Sequence, residues 1–131
     1  MKTLDIRTSK SQEFVNITFE VRNAVRESGI RDGEVIIYIP HTTAAVTINE
    51  SADPDVVRDI IAALNHLVPV RGDYHHIEGN AHAHIKSSLL GCSTRVILKD
   101  GELLLGTWQG IFFCEFDGPR SRHIHVEVIG K

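Results

Sequence analysis

The sequence predicts an α+β fold, a single domain spanning residues 1–131 in which a largely antiparallel or mixed β-sheet packs with two or three helices. Three observations predict it. Segments that alternate polar and apolar residues open the chain and fill its last third. Helical periodicity interrupts them over 19–28 and 54–67. Short turns at Asp100-Gly101 and Asp117-Gly118-Pro119 join extended runs closely, as antiparallel neighbours require, and Asp32-Gly33 turns the chain from a helix into a strand.

In chain order, Lys2 to Thr8 alternates with Leu4 and Ile6 on one side, a half-buried strand, and Phe14 to Ile17 is a second short strand. Thr18 is placed to cap a helix over Phe19 to Ser28, whose Val21, Ala24 and Val25 share a face and whose stop is Gly29. Val35 to Ile39 is a β-branched run broken by Pro40. His41 to Glu50 then reads as extended, with His41, Thr43, Ala45, Thr47 and Asn49 on one face. Asp53-Pro54 starts the clearest helix, a side-chain cap followed by proline in the first turn, and Val56, Val57, Ile60, Ile61 and Leu64 carry its stripe to Leu67. Val70 to Asn80 is a polar loop, and Ala81 to Leu90 a short helix closed by Gly91. Ser93 to Leu98, Glu102 to Phe116 and His123 to Ile129 form a meander, with Gly106 and Gly110 marking a bulge or close backbone approach in the long middle strand.

With 42% hydrophobic and 24% charged residues the chain has the composition of an ordinary globular domain. Its two cysteines, Cys92 and Cys114, form no C-x-x-C motif, which leaves a reduced, cytoplasmic protein as the expectation. No apolar run approaches the roughly 18 residues of a membrane span, and a net charge of −3 without a basic block argues against nucleic acid as a partner. Walker A, G-x-G-x-x-G and G-x-S-x-G motifs are absent, which sets aside the P-loop, dinucleotide-binding and serine-hydrolase classes.

Histidine is the unusual residue: eight occur, His41, His66, His75, His76, His82, His84, His123 and His125. Imidazole ligates metals and titrates near neutrality, so the clustering invites metal, acid–base or anion chemistry. His82 and His84 share a face in a strand and diverge on a helix. His76 lies eight residues before His84, across Glu78 and Asn80, so a loop can fold these groups around one divalent ion; a hydrogen-bonded polar loop fits the same residues. The hydroxyls of Thr42, Thr43 and Thr47, with His41 and Asn49, can line a polar pocket, or the same face can simply be solvated. Phosphate recognition would add a cation, for which Lys86, Arg95, Arg120 and Arg122 are available. His123, His125 and Glu127 alternate with a core-like face, as solvent exposure or a subunit interface requires.

Three strings give these residues a context. STRVILKDGELLLGTWQGI at 93–111, HTTAAVTINESADPD at 41–55 and HHIEGNAHAHIKSSLLG at 75–91 together resemble the hallmarks of the YjbQ-like family, described as secondary thiamine-phosphate synthases. His76, Glu78, Asn80, His84 and Lys86 match the pattern of the last string. The resemblance implies an α+β YjbQ-like fold, a homotrimer with clefts between subunits, and a phosphorylated small-molecule substrate. The implied activity, secondary in the family, joins a hydroxymethylpyrimidine diphosphate to a thiazole phosphate and releases pyrophosphate. On this reading His41, His76, His84 and Asn49 are the catalytic candidates. Thr42, Thr43, Glu50, Asn80, Lys86, Trp108, Gln109, Arg120 and Arg122 are the substrate-binding ones. His41, His76 and His84, with Glu78 in addition, are the candidate ligands of a divalent metal, zinc or magnesium. The alternatives are a metal- or anion-binding trimer without turnover and a metal-assisted hydrolase of a phosphorylated metabolite.

Overall fold

In a computed structural model that describes all 131 residues, the alternating segments form strands β1 (Lys2–Arg7), β2 (Glu13–Asn16), β3 (Gly33–Tyr38), β4 (Ala44–Glu50), β5 (Ser93–Lys99), β6 (Glu102–Leu103), β7 (Gln109–Glu115) and β8 (Ser121–Gly130). The helical segments are α1 (Thr18–Ser28), α2 (Pro54–Leu67) and α3 (Ala81–Leu90). Every strand pairing is antiparallel. A five-stranded sheet runs β1-β8-β3-β5-β6 and a three-stranded sheet runs β2-β7-β4. The predicted α+β class and helix number hold, with the strands divided between two sheets.

Strand β7 explains the layering. Its consecutive apolar residues alternate between two cores: Ile111 and Phe113 join Val35, Ile37, Val96, Leu98, Ile124 and Val126 of the larger sheet, with α1 closing the end through Val21, Ala24 and Val25. Phe112 and Cys114 instead meet Ala45, Phe116 and Ala83, over which α2 and α3 pack through Val57, Leu64 and Leu90. A strand buried on both faces reads as a continuous apolar run for this reason. Within a single chain, α2 and α3 are therefore the partner that the second face of β7 needs. None of the helices is long and apolar enough to cross a membrane.

Three boundaries differ from the sequence reading. The long strand expected over Glu102 to Phe116 is two strands in different sheets. Between them the chain crosses through a turn closed by the Gln109 N–H on the Gly106 carbonyl (3.1 Å) and by Gly106 N–H on the Gln109 side chain (2.8 Å). Gly110 sits so close to Ser51 that an added Cβ would meet that side chain at 2.7 Å. The extended run begins at Ala44 rather than His41, because the chain bends after Pro40, so His41 does not share the Thr47 and Asn49 strand face. Thr18 is the first helical residue, not the cap: Asn16 Oδ1 accepts from its N–H (3.0 Å) and its hydroxyl (2.7 Å), freeing the hydroxyl oxygen to accept Ile111 N–H (2.9 Å). At α2 the expected cap is present, Asp53 accepting from Asp55 N–H at 2.9 Å.

Candidate functional site

A cleft of about 670 Å³ opens where three connections meet at one end of the molecule. The bend from Tyr38 to Thr43 after β3 forms one wall, Glu78, Asn80 and His84 around the start of α3 a second, and Asp117, Arg120 and Arg122 at the β7–β8 turn the third.

His82 and His84 part company because Ala81–Leu90 is helical. Two residues subtend about 200° on a helix, so the rings leave on opposite sides. His84 faces the cleft, while buried His82 shares its face with Lys86 four residues on. Lys86 is completely buried, its Nζ donating to Asn65 Oδ1 of α2 (2.6 Å) and to His82 Nδ1 (2.8 Å). Burial lowers the Lys86 pKa, and burial together with the Lys86 charge lowers that of His82. As a substrate-binding cation Lys86 is therefore out of place in this chain: it links α3 to α2 beneath the surface.

His41 is held by a bond that dictates its chemistry. Its Nε2 accepts the backbone N–H of His123 at 2.9 Å, so the neutral ring carries its proton on Nδ1 and acts there as a donor. Burial, reinforced by the Arg122 charge, lowers its pKa and favours that neutral form. With one nitrogen accepting and the other protonated, His41 retains no lone pair for a metal, which removes it from the expected ligand set.

Beneath His41 lies a buried ion pair. Arg122 donates to Glu115 through Nε (2.9 Å) and Nη2, and Nη2 also reaches Thr43 Oγ1 (2.9 Å). Glu115 further accepts from the Thr8 hydroxyl (2.7 Å) and Asp117 N–H (3.1 Å). Burial would raise the Glu115 pKa, but these hydrogen bonds outweigh it and hold the carboxyl below the ordinary range. Arg122 and Thr43 thus shape the cleft floor. Arg120 is half exposed and paired with Asp117 Oδ2 at 3.0 Å. Asn80 donates to the same Asp117 oxygen at 2.8 Å, and its own side-chain oxygen is buried without a partner in the protein. Asp117 and Glu115, which sequence reasoning passed over, organise this wall; the only sequence signal was the Asp-Gly-Pro turn itself.

His76 packs edge-to-face on His84 with ring centres 5.2 Å apart, and its Nε2 lies 3.7 Å from Glu78 Oε2. These contacts are pairwise: no three His, Cys, Asp or Glu side chains of the chain converge as a metal set. The remaining candidates sit elsewhere. Asn49 and Glu50 end β4, roughly 20 Å from Thr43 at strand rise, where they face Gly110 and Gln109 across the ladder. Gln109 closes the Gly106 turn, and Trp108, 63% exposed, presents its carbonyl to Ser51 N–H at 2.8 Å. In the single chain none of these four lines the cleft.

Two of the matched strings supply His41, Thr42, Thr43, Glu78, Asn80 and His84 to this cleft, while Asp117, Arg120 and Arg122 lie beyond them, and comparison with known proteins extends the match to the whole chain. Residues 2–131 fit the family described as UPF0047 protein YjbQ-like. The chain is 58% identical to UPF0047 protein MJ1081 of Methanocaldococcus jannaschii over 95% of its length and 91% of that protein's. It is 50% identical to UPF0047 protein YugU of Bacillus subtilis over 99% of both. Among solved structures, a conserved YjbQ/UPF0047 family protein of Clostridium acetobutylicum superposes with a TM-score of 0.97 at 53% identity, covering 98% of this chain and 100% of the other. A YjbQ-like protein of Sulfolobus solfataricus gives 0.95 at 36% identity, covering 99% and 96%. Sequence and fold agree from end to end, and the chain belongs to the YjbQ/UPF0047 family.

Proposed function

We propose that this protein is a transferase of the secondary thiamine-phosphate synthase type, joining a hydroxymethylpyrimidine diphosphate to a thiazole phosphate. The observation that carries the reading is the cleft itself. Arg120 supplies positive charge and His41 a fixed Nδ1–H donor, in a volume suited to a phosphorylated heterocycle. In the reaction the pyrimidine's methylene carbon exchanges its bond to the diphosphate oxygen for one to the thiazole ring, and the bonding pair leaves with the diphosphate. Charge builds on that leaving group, so donors aimed at it lower the barrier. His84 is the remaining ring beside it.

The test is incubation of the purified protein with both substrates and magnesium, following coupled product by chromatography and pyrophosphate enzymatically. Equal amounts of both, reduced at least tenfold in Arg120→Gln and His84→Ala, are expected. Orthophosphate without coupled product would replace the transferase by the hydrolase reading.

The homotrimer belongs to the same proposal. Helices α2 and α3 cover the three-stranded sheet, while the outer face of the larger sheet displays Tyr38, Ile97 and Ile129 with no element over them. Light scattering at micromolar concentration should give three times 14.6 kDa; a monomer would sink the shared-cleft arrangement. A second reading, a metal-binding trimer without turnover in the cytoplasm, is favoured by one observation, the approach of His76 to His84 and Glu78. A zinc or magnesium ion there would draw its other donors from outside the single chain.

A further inference from the structure

At the opposite end of β3 from the cleft, the C-terminal part of α1 and the β5–β6 turn enclose a second cavity of about 400 Å³. Three arginines line it: Arg22 and Arg26, one helical turn apart on α1, and Arg31 in the connection to β3. None of the three has a carboxylate within ion-pair distance, whereas Arg120 and Arg122 at the cleft are both paired, with Asp117 and Glu115. Arg26 has only the neutral Asn23 side chain, at 3.2 Å.

Arg31 is held in place. Its carbonyl accepts Gly101 N–H at 2.8 Å, and its Nη2 donates to the Asp100 carbonyl at 3.0 Å. The guanidinium lies over Gly101, where an added Cβ would meet Nη1 at 3.1 Å, and Gly101 has the left-handed φ of +79° that favours glycine. A flat guanidinium positioned by backbone groups keeps most of its five donors for a ligand. Asp100 and Glu102 also border the cavity, so its lining carries a net charge of +1, three arginines against two carboxylates, in a chain whose net charge is −3.

We propose that this cavity is a binding site for a multiply charged phosphoryl anion, with free diphosphate as its best-matched form. Arg22, Arg26 and Arg31 contact the anion's oxygens by charge-assisted hydrogen bonds, and the volume exceeds what a single orthophosphate fills. The two carboxylates on the rim select for an anion with enough charge to engage several arginines together. The site is roughly 20 Å from the cleft along a six-residue strand, and does not depend on the reaction proposed there.

The test is titration of the untagged protein with inorganic diphosphate and with orthophosphate in 150 mM salt, by calorimetry. The set comprises wild type, the double variant Arg22→Gln/Arg26→Gln, and Arg120→Gln at the cleft. Saturable diphosphate binding is expected, at least tenfold tighter than orthophosphate, weakened at least tenfold in the double variant and persisting in Arg120→Gln. All three arginine changes lie at exposed positions, and unaltered far-UV circular dichroism confirms that the variants fold. The proposal is overturned if wild type binds no diphosphate, if the double variant binds as wild type does, or if Arg120→Gln alone abolishes binding. Indifference between diphosphate and orthophosphate would refute the multivalent contact.

Discussion

Removing the Glu115 carboxylate strands a charge inside the protein. Glu115 is fully buried, the Arg122 side chain is 4% exposed, and the carboxylate is the guanidinium's only counter-ion. It also accepts from Asp117 N–H and the Thr8 hydroxyl, so Glu115→Ala leaves a buried cation and an unpaired Asp117 N–H, while the Thr8 hydroxyl retains the Arg120 carbonyl at 3.1 Å. Breaking a buried pair on one side costs about 3–5 kcal/mol, which for a domain of this size lowers Tm by on the order of 10–20 °C. The double variant Glu115→Ala/Arg122→Met removes both charges and should recover roughly 2 kcal/mol or more of that loss. The pH dependence has a definite sign. Because the folded-state pKa lies below the ordinary value of 4.5, the carboxylate's contribution is complete above about that pH and is lost as pH falls through the depressed value. Urea unfolding followed by far-UV circular dichroism, at pH 7 and in steps from pH 5 to pH 3, should show wild type and Glu115→Ala converging in acid. A single variant within about 1 kcal/mol of wild type at pH 7 would refute the reasoning, as would a gap that does not narrow with acid.

Three further outcomes are expected. Phe113→Ala, emptying a fully buried ring position between the two sheets, should cost about 3–5 kcal/mol by urea unfolding. Asp53→Ala should cost about 0.5–2 kcal/mol by the same assay, through loss of the α2 cap, and Asp53→Asn much less. Elemental mass spectrometry of untagged protein should find a transition metal that is lost in His84→Ala if His76, His84 and Glu78 form a ligand set with donors from a second subunit; a metal-free wild type would leave those rings to acid–base or anion chemistry.

Local patterns reached far into this fold. The Asp53-Pro54 start and the Leu67 end of α2, and the Ala81–Leu90 span of α3, follow from capping and breaker residues acting within a turn or two. Patterning failed at Glu102 to Phe116, because an alternating run says nothing about which sheet each half joins, and the crossing is set by the Gly106–Gln109 turn and by contact with Ser51. Of the candidate residues, His41, Thr42, Thr43, Glu78, Asn80, His84, Arg120 and Arg122 share one cleft although they come from three distant segments. The matched strings hold the first six, while Arg120 and Arg122 are candidates only as available cations, and spacing alone groups none of them.

By itself the sequence determined the class, the helices, most strands and the family, since these depend on interactions between near neighbours or on strings read directly. Only the tertiary structure decided what each polar group does. The helical state of Ala81–Leu90 sent His84 to the cleft and His82 to the interior, and packing of α2 over α3 buried Lys86 against Asn65. The meeting of the β3–β4 bend with β8 fixed the His41 tautomer through a backbone N–H 82 residues away. Hydrogen bonds and burial of this kind depend on distances between remote segments, and those distances exist only once the chain has folded.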